Sequence, residues 1–83
     1  MLSTVNVFEF IRKIERYYDG KDYEVYCFEI REYSISIWIK AKESTERYSI
    51  EYDRVINEDG SEEYYCNYMN DLSNEKKQAV SIY

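Results

Sequence analysis

Apolar residues recur at helical spacing near the N-terminus of the chain. Between residues 6 and 19 they fall on one face, which predicts an amphipathic helix. Asn6 is suited to cap this helix, and Glu9 would complete a capping box. Gly20 is expected to end it, because glycine tolerates the left-handed conformation that follows many helices. The predicted apolar face consists of Val7, Phe8, Phe10, Ile11, Ile14, Tyr17 and Tyr18.

The pattern after Gly20 changes to one that predicts strands. Residues 23–31 are rich in aromatic and branched side chains, which favour extended structure. Residues 33–42 alternate so that one face is apolar, as expected of a strand buried on one face. That face would hold Tyr33, Ile35, Ile37, Ile39 and Ala41. A third strand is predicted over residues 46–55. Its inward-facing residues would be Tyr48, Ile50 and Tyr52. The short connections favour an antiparallel meander.

The segment after Asp59-Gly60 fits two templates. A strand would alternate Tyr64, Cys66 and Tyr68. A helix would place Tyr64, Tyr65, Tyr68, Met69 and Leu72 on one stripe and use Ser61 as its cap. The helical template accounts for more residues, so a helix is predicted over residues 62–72.

A further short helix, capped by Ser73, is predicted to run through Val80. We therefore expect one α+β domain over residues 1–83. It would contain an N-terminal helix, a three-stranded antiparallel sheet and a C-terminal helical segment packed on that sheet. A sheet of four strands is the alternative.

Catalytic and metal-binding chemistry is poorly supported by the residue content. The 83 residues include no histidine and two glycines, which excludes Ser-His-Asp and Cys-His pairs and leaves no glycine-rich phosphate loop. A calcium loop aligned on Gly60 fails, because it would need acidic residues where Val55 and Cys66 stand. We expect no enzymatic activity, no catalytic residue, no metal and no cofactor.

The two cysteines, Cys27 and Cys66, are too few for a zinc site and lack its paired spacing. We expect them to be buried, reduced core residues. A disulfide between them is the alternative.

The charge of the chain is concentrated in one stretch. Residues 43–64 hold eight acidic and two basic residues, a net charge of −6, which equals the net charge of the whole chain. If the third strand and the following turn form one edge, that edge would be strongly negative and would attract basic surfaces. Acidity that only maintains solubility is the alternative. The candidate partner-binding residues are Glu43, Glu46, Glu51, Asp53, Glu58, Asp59, Glu62 and Glu63.

Eleven tyrosines are an unusual number for a chain of this length. Tyrosine is enriched at recognition surfaces, although an AT-rich genome would also raise its frequency. Together with Trp38, expected on the exposed side of its strand, the tyrosines suggest a second hypothesis. The chain would then be a homo-oligomeric structural or adaptor protein, such as a homodimer, that uses a tyrosine-rich sheet surface as its interface.

Two runs resemble a known family. Phe10-Ile11-Arg12-Lys13-Ile14, followed by Lys21-Asp22-Tyr23-Glu24-Val25, is similar to the opening of a small acidic phage anti-CRISPR protein that inhibits type II nucleases. The resemblance covers residues 8–26 by residue type and most of the chain by element order. It implies a DNA mimic that occupies the nuclease site for the short duplex motif beside the target. The family's acidic contacts lie in loops that align poorly here, so no residue role is transferred.

The leading hypothesis is therefore an inhibitor or decoy that binds the basic groove of a nucleic-acid-handling protein, such as a phage-defence nuclease. It would bind neither nucleic acid directly nor a membrane. The first residues, Met1 to Thr4, lack the basic region of a secretory signal, and no apolar run is long enough to span a bilayer. We expect a cytoplasmic protein, located in the host bacterium if a phage encodes it.

Overall fold

The computed structural model describes residues 4–73. Its elements are α1 (Thr4–Asp19), β1 (Tyr23–Ile30), β2 (Ser34–Ala41), β3 (Arg47–Ile56) and β4 (Glu62–Asp71). All neighbouring strands are antiparallel, and their order in the sheet is β1-β2-β3-β4. The predicted α+β class, N-terminal helix and antiparallel meander are confirmed, with four strands in the sheet.

The helix packs on one face of the sheet and forms the core with it. Val7 and Ile11 of α1 are buried against a row of isoleucines in β2. The predicted inward face of β3 is confirmed, because Ile50 and Tyr52 are buried and Tyr48 packs against them. The buried hydrophobic residues are Val7, Ile11, Ile35, Ile37, Ile39, Ile50 and Tyr52.

The ends of α1 differ from the prediction. The helix begins at Thr4, so Asn6 lies inside it and does not cap it. The helix ends at Asp19, but the left-handed residue after it is Asp22 (φ 64°), not Gly20. Asp22 can adopt this conformation because a short polar side chain tolerates it better than most. The Asp22 carbonyl then accepts a hydrogen bond from Lys42 N at 2.9 Å, which joins this turn to the end of β2.

The helix predicted over residues 62–72 is wrong, since these residues form β4. Asp59-Gly60 makes the hairpin turn that aligns β4 with β3: Gly60 has φ 88°, and Asn57 N donates to Ser61 O at 2.8 Å. Ser61 therefore belongs to the turn and caps no helix. The helix predicted from Ser73 to Val80 lies, beyond its first residue, outside the described residues.

A β-bulge explains why the sequence of β4 resembled a helix. Cys66 pairs with Tyr52, whereas Tyr68 pairs with Glu51, so Asn67 is an extra residue. The bulge moves the alternation by one position, because side chains alternate between faces only in a regular strand. The exposed apolar residues on the two sides of the bulge are Tyr65, Tyr68 and Met69. Tyr68 and Met69 lie three and four positions after Tyr65, which is also the spacing of residues on one face of a helix.

Candidate protein-binding site

The helix α1 packs on one face of the sheet, and we call the opposite face the open face. Ser36, Glu51 and Tyr68 define it, because they are register neighbours across β2, β3 and β4. Trp38 also lies on this face, two residues along β2 from Ser36, and is half-buried.

The eight predicted carboxylates do not form one patch. The strand β3 lies between β2 and β4, so the acidic stretch is not an edge of the sheet. Glu43 and Glu46 lie in the connection between β2 and β3. The connection between β3 and β4 is at the opposite end of β3, about 30 Å away for a strand of this length. The other six predicted carboxylates lie in β3, in β4 or in the connection between them: Glu51, Asp53, Glu58, Asp59, Glu62 and Glu63.

Two further carboxylates, outside the acidic stretch of residues 43–64, lie at the same end of the molecule. The β1–β2 and β3–β4 turns lie at the same end of an antiparallel meander. Glu32 is in the first of these turns, and Glu29 lies on the open face, opposite Ser36, which in turn pairs with Glu51. We call the exposed carboxylates at this end of the molecule the acidic end. They are Glu29, Glu32, Asp53, Glu58, Asp59 and Glu63.

An arginine network holds the open face together beside the acidic end. Arg31 Nη2 lies 2.9 Å from Oε2 of Glu51, and Arg31 Nη1 lies 3.2 Å from Oε1 of Glu29. Arg31 Nε donates to the Ser34 hydroxyl at 2.8 Å. Ser36, which is buried, accepts from Arg31 and donates to Glu51. Glu51 is therefore largely neutralised by Arg31, and its predicted role in binding would be indirect.

Glu62 has a structural environment that differs from the rest of the predicted set. Its Oε1 lies 2.8 Å from Nη2 of Arg54, and both side chains are about 3% exposed. The Tyr64 hydroxyl donates to the other carboxylate oxygen at 2.9 Å. Burial opposes ionisation of Glu62, but the hydrogen bonds from Arg54 and Tyr64 outweigh it and lower its pKa. A partner protein cannot reach this carboxylate in the folded chain.

The six carboxylates of the acidic end are exposed. Asp59 accepts hydrogen bonds from the Ser61 hydroxyl (2.6 Å) and Ser61 N (2.9 Å), which lower its pKa. Glu63 accepts a hydrogen bond from Tyr65, and this bond raises the pKa of Tyr65. Asp53 accepts from Asn67 at 3.3 Å. Their negative charge is therefore available to a cationic partner.

The opposite end of the open face carries two cations that share an aromatic ring. Lys40 and Arg47 are register neighbours, and both place their charges over the ring of Tyr26, at 5.9 Å and 5.6 Å from its centre. Lys40 also forms an ion pair with Glu24, with a separation of 3.2 Å. Lys40, Arg47 and Tyr26 therefore lie at the end of the open face away from the acidic end, beside the β2–β3 connection that holds Glu43 and Glu46.

The expectation of buried cysteines is wrong. Cys27 on β1 and Cys66 on β4 are both exposed and both free thiols. Each lies on an edge strand of the sheet, where a side chain has neighbours on one side only. The two residues are separated by β2 and β3, so the alternative of an intramolecular disulfide does not hold in this fold.

A scan against protein-family models, a search of curated proteins and a search of solved structures find no match to this chain. Within residues 4–73, no cluster of three or more His, Cys, Asp or Glu side chains could hold a metal ion. No helix in that part of the chain is long and apolar enough to cross a membrane.

Proposed function

We propose that this protein binds and inhibits a nucleic-acid-handling protein, such as a phage-defence nuclease of the CRISPR type, through its acidic end. The observation that carries the proposal is the grouping of six exposed carboxylates, contributed by three strands and two turns, at one end of the molecule. In this role the chain acts as a binding protein, not as an enzyme.

The distribution of cations supports the proposal. Arg54 is paired with the buried Glu62, and Arg31 is shared between Glu51 and Glu29. Of the six carboxylates of the acidic end, these two arginines therefore contact Glu29 alone. The exposed cations of α1, Arg12, Lys13 and Arg16, lie on the other side of the sheet. The molecule is therefore electrically asymmetric, and a basic groove would attract it in one orientation.

Carboxylates can replace phosphates in such a groove. Arginine and lysine side chains that bind a phosphate backbone form similar charge-assisted hydrogen bonds with carboxylates. Each exposed ion pair is worth only about 0–1 kcal/mol, so the attraction must be collective. The resemblance of residues 8–26 to an anti-CRISPR protein identifies type II CRISPR nucleases as the first target to test.

The test measures target-DNA cleavage by a guide-loaded type II CRISPR nuclease at increasing concentrations of this protein. Three proteins are compared: the parent, a variant neutralised at the acidic end, and a control with the same change of charge elsewhere. The acidic-end variant carries Asp53→Asn, Glu58→Gln, Asp59→Asn and Glu63→Gln. The control carries Glu9→Gln, Glu15→Gln, Glu43→Gln and Glu46→Gln.

The parent should inhibit cleavage, and the acidic-end variant should need at least tenfold more protein for the same inhibition. Inhibition by the control should stay within about threefold of the parent, since a change in net charge alone has a weaker effect than loss of the contact surface. Added salt should weaken the parent more than the acidic-end variant. Equal inhibition by both variants would refute the acidic end as the binding site.

A further inference from the structure

The strand β4 has a free edge. It pairs with β3 on one side, and no strand within residues 4–73 pairs with its other side. Three large apolar side chains of this ten-residue strand are about half exposed: Tyr65 (53%), Tyr68 (54%) and Met69 (49%). A long, apolar edge strand is a template for another strand, and proteins usually shorten, charge or cover such an edge.

The bulge in β4 determines which side chains share a face. On the N-terminal side of the bulge, Tyr64 faces α1, where it stacks on Phe10 at 4.2 Å between ring centres, and Tyr65 lies on the open face. On the C-terminal side, Tyr68 lies on the open face and Met69 on the helix side, as their partners Glu51 and Ile50 do. Tyr65 and Tyr68 therefore share one face, and Tyr64 and Met69 share the other.

The backbone hydrogen bonds at both ends of β4 show which groups point outward. Ser61 O accepts from Asn57 N, and Leu72 N donates to Arg47 O, each at 2.8 Å, so both residues direct their groups toward β3. Backbone groups alternate sides along an antiparallel strand. Counting inward from both ends, Tyr64 and Met69 direct their N–H and C=O groups toward the free edge.

We propose that two copies of this chain pair antiparallel through β4, about a two-fold axis that passes between Cys66 and Asn67, to form a continuous eight-stranded sheet. In this register Tyr64 lies opposite Met69 of the second copy, and their outward backbone groups form a hydrogen-bonded pair. Tyr65 lies opposite Tyr68 of the second copy on the open face.

The bulge makes this register possible. In a regular strand, an axis between two adjacent residues would pair side chains from opposite faces. Here the extra residue Asn67 shifts the alternation by one position. Residues that lie opposite each other in the two copies therefore share a face on both sides of the axis. A shift of one residue would place Tyr64 opposite Tyr68 of the second copy, although their side chains lie on different faces. The pairing also brings the exposed Tyr65 and Tyr68 into aromatic cross-strand contact, which stabilises antiparallel pairs.

The charges at the ends of β4 are compatible with the pairing. Glu62 would lie opposite Asp71 of the second copy, which would oppose association if both carboxylates were free. The ion pair with Arg54 neutralises Glu62 within its own chain. The proposal does not rest on the proposed function, because the exposed carboxylates of the acidic end are not needed for contact between the strands.

The first test is the mass of the protein in solution by light scattering. The parent should have the mass of a dimer. Tyr68→Lys should raise the dissociation constant at least tenfold, because it places a charge in the centre of the contact. Tyr33→Lys is the matched control: Tyr33 is 63% exposed but lies between β1 and β2. A monomeric parent, or equal effects of the two substitutions, would overturn the proposal.

The second test uses Cys66, which lies beside the proposed axis. The two Cys66 residues would be on neighbouring strands, offset by one residue, with Cα atoms about 6 Å apart. That distance lies within the range of a disulfide, about 4.4–6.8 Å. Diamide takes two electrons and two protons from a pair of thiols and leaves an Sγ–Sγ bond. Diamide should convert the Cys27→Ser variant, which keeps Cys66, to a covalent dimer. The Cys66→Ser variant should form no covalent dimer over the same time.

Crosslinking through Cys27 at the same rate would overturn the proposed register. A monomeric mass with Cys66 protected from thiol reagents would indicate that another part of the chain covers this edge, and would also overturn the proposal. Both tests leave nuclease inhibition unmeasured, so their outcome is separate from that of the proposed function.

Discussion

Arg54 on β3 and Glu62 on β4 form a buried ion pair, with Nη2 and Oε1 2.8 Å apart and each side chain about 3% exposed. The pair joins the last residues of β3 to the first residues of the edge strand. The ring of Tyr64 lies between the pair and Phe10 of α1, since its hydroxyl bonds Glu62 and its ring stacks on Phe10. This contact links helix, interior strand and edge strand.

The replacement Glu62→Ala should destabilise the fold. It leaves the Arg54 charge buried without its carboxylate, and loss of one partner of a buried pair typically costs about 3–5 kcal/mol. Glu63→Ala, one residue away and exposed, should change the free energy of unfolding by about 1 kcal/mol at most. Urea denaturation of both variants measures the difference. Equal unfolding midpoints would show that the ion pair contributes little.

The stabilising effect of Glu62 should disappear in acid. Its pKa in the folded chain is below the usual value of 4.5, so the stability it contributes is present above that pH. That stability is lost as the pH falls through the folded pKa. The difference in urea midpoint between the parent and Glu62→Gln should therefore be constant near neutral pH and shrink below about pH 4.5. A difference that grows in acid would contradict the assigned direction of the shift.

Alkaline pH should unfold the chain through the buried Tyr52 and the partly buried Tyr64. Burial and the hydrogen bond to Glu62 raise the pKa of Tyr64 to about 12, and burial also raises the pKa of Tyr52. The stability that such groups contribute is present below pH 10 and is lost as the pH rises through the folded pKa. Tyr52→Phe should move the alkaline unfolding midpoint upward, whereas Tyr33→Phe, at an exposed ring, should not. Circular dichroism during an alkaline titration measures the midpoint.

Backbone amides of β2 should exchange slowly with deuterium, because β2 lies between β1 and β3 and its isoleucines are buried. In the Tyr68→Lys variant, the outward-pointing amides of Tyr64 and Met69 should exchange much faster than those of β2. In the parent, pairing of β4 should slow the exchange of these two amides. Rapid exchange across residues 34–41 would contradict the assignment of β2 to the interior of the sheet.

The sequence by itself determined those elements whose signal is local. The periodicity of α1 and the alternation of β2 and β3 predicted these elements to within two residues at most of their ends. Every buried hydrophobic residue lies at a predicted apolar position, but Phe8 and Tyr17 of the predicted helix face are exposed. These patterns are reliable because burial of one face is the main force that selects the element. The absence of histidine and the net charge are likewise properties of composition.

Only the tertiary structure decided the remaining features. The pairing of β4 with β3 overrode a helical pattern, because the Asp59-Gly60 hairpin and the bulge at Asn67 are stabilised by contacts with the neighbouring strand. The burial of Glu62 depends on Arg54 and α1, and no local signal separates it from exposed Glu63. Glu29 and Glu32 join the acidic end only because the meander brings two turns, far apart in sequence, to the same end of the sheet.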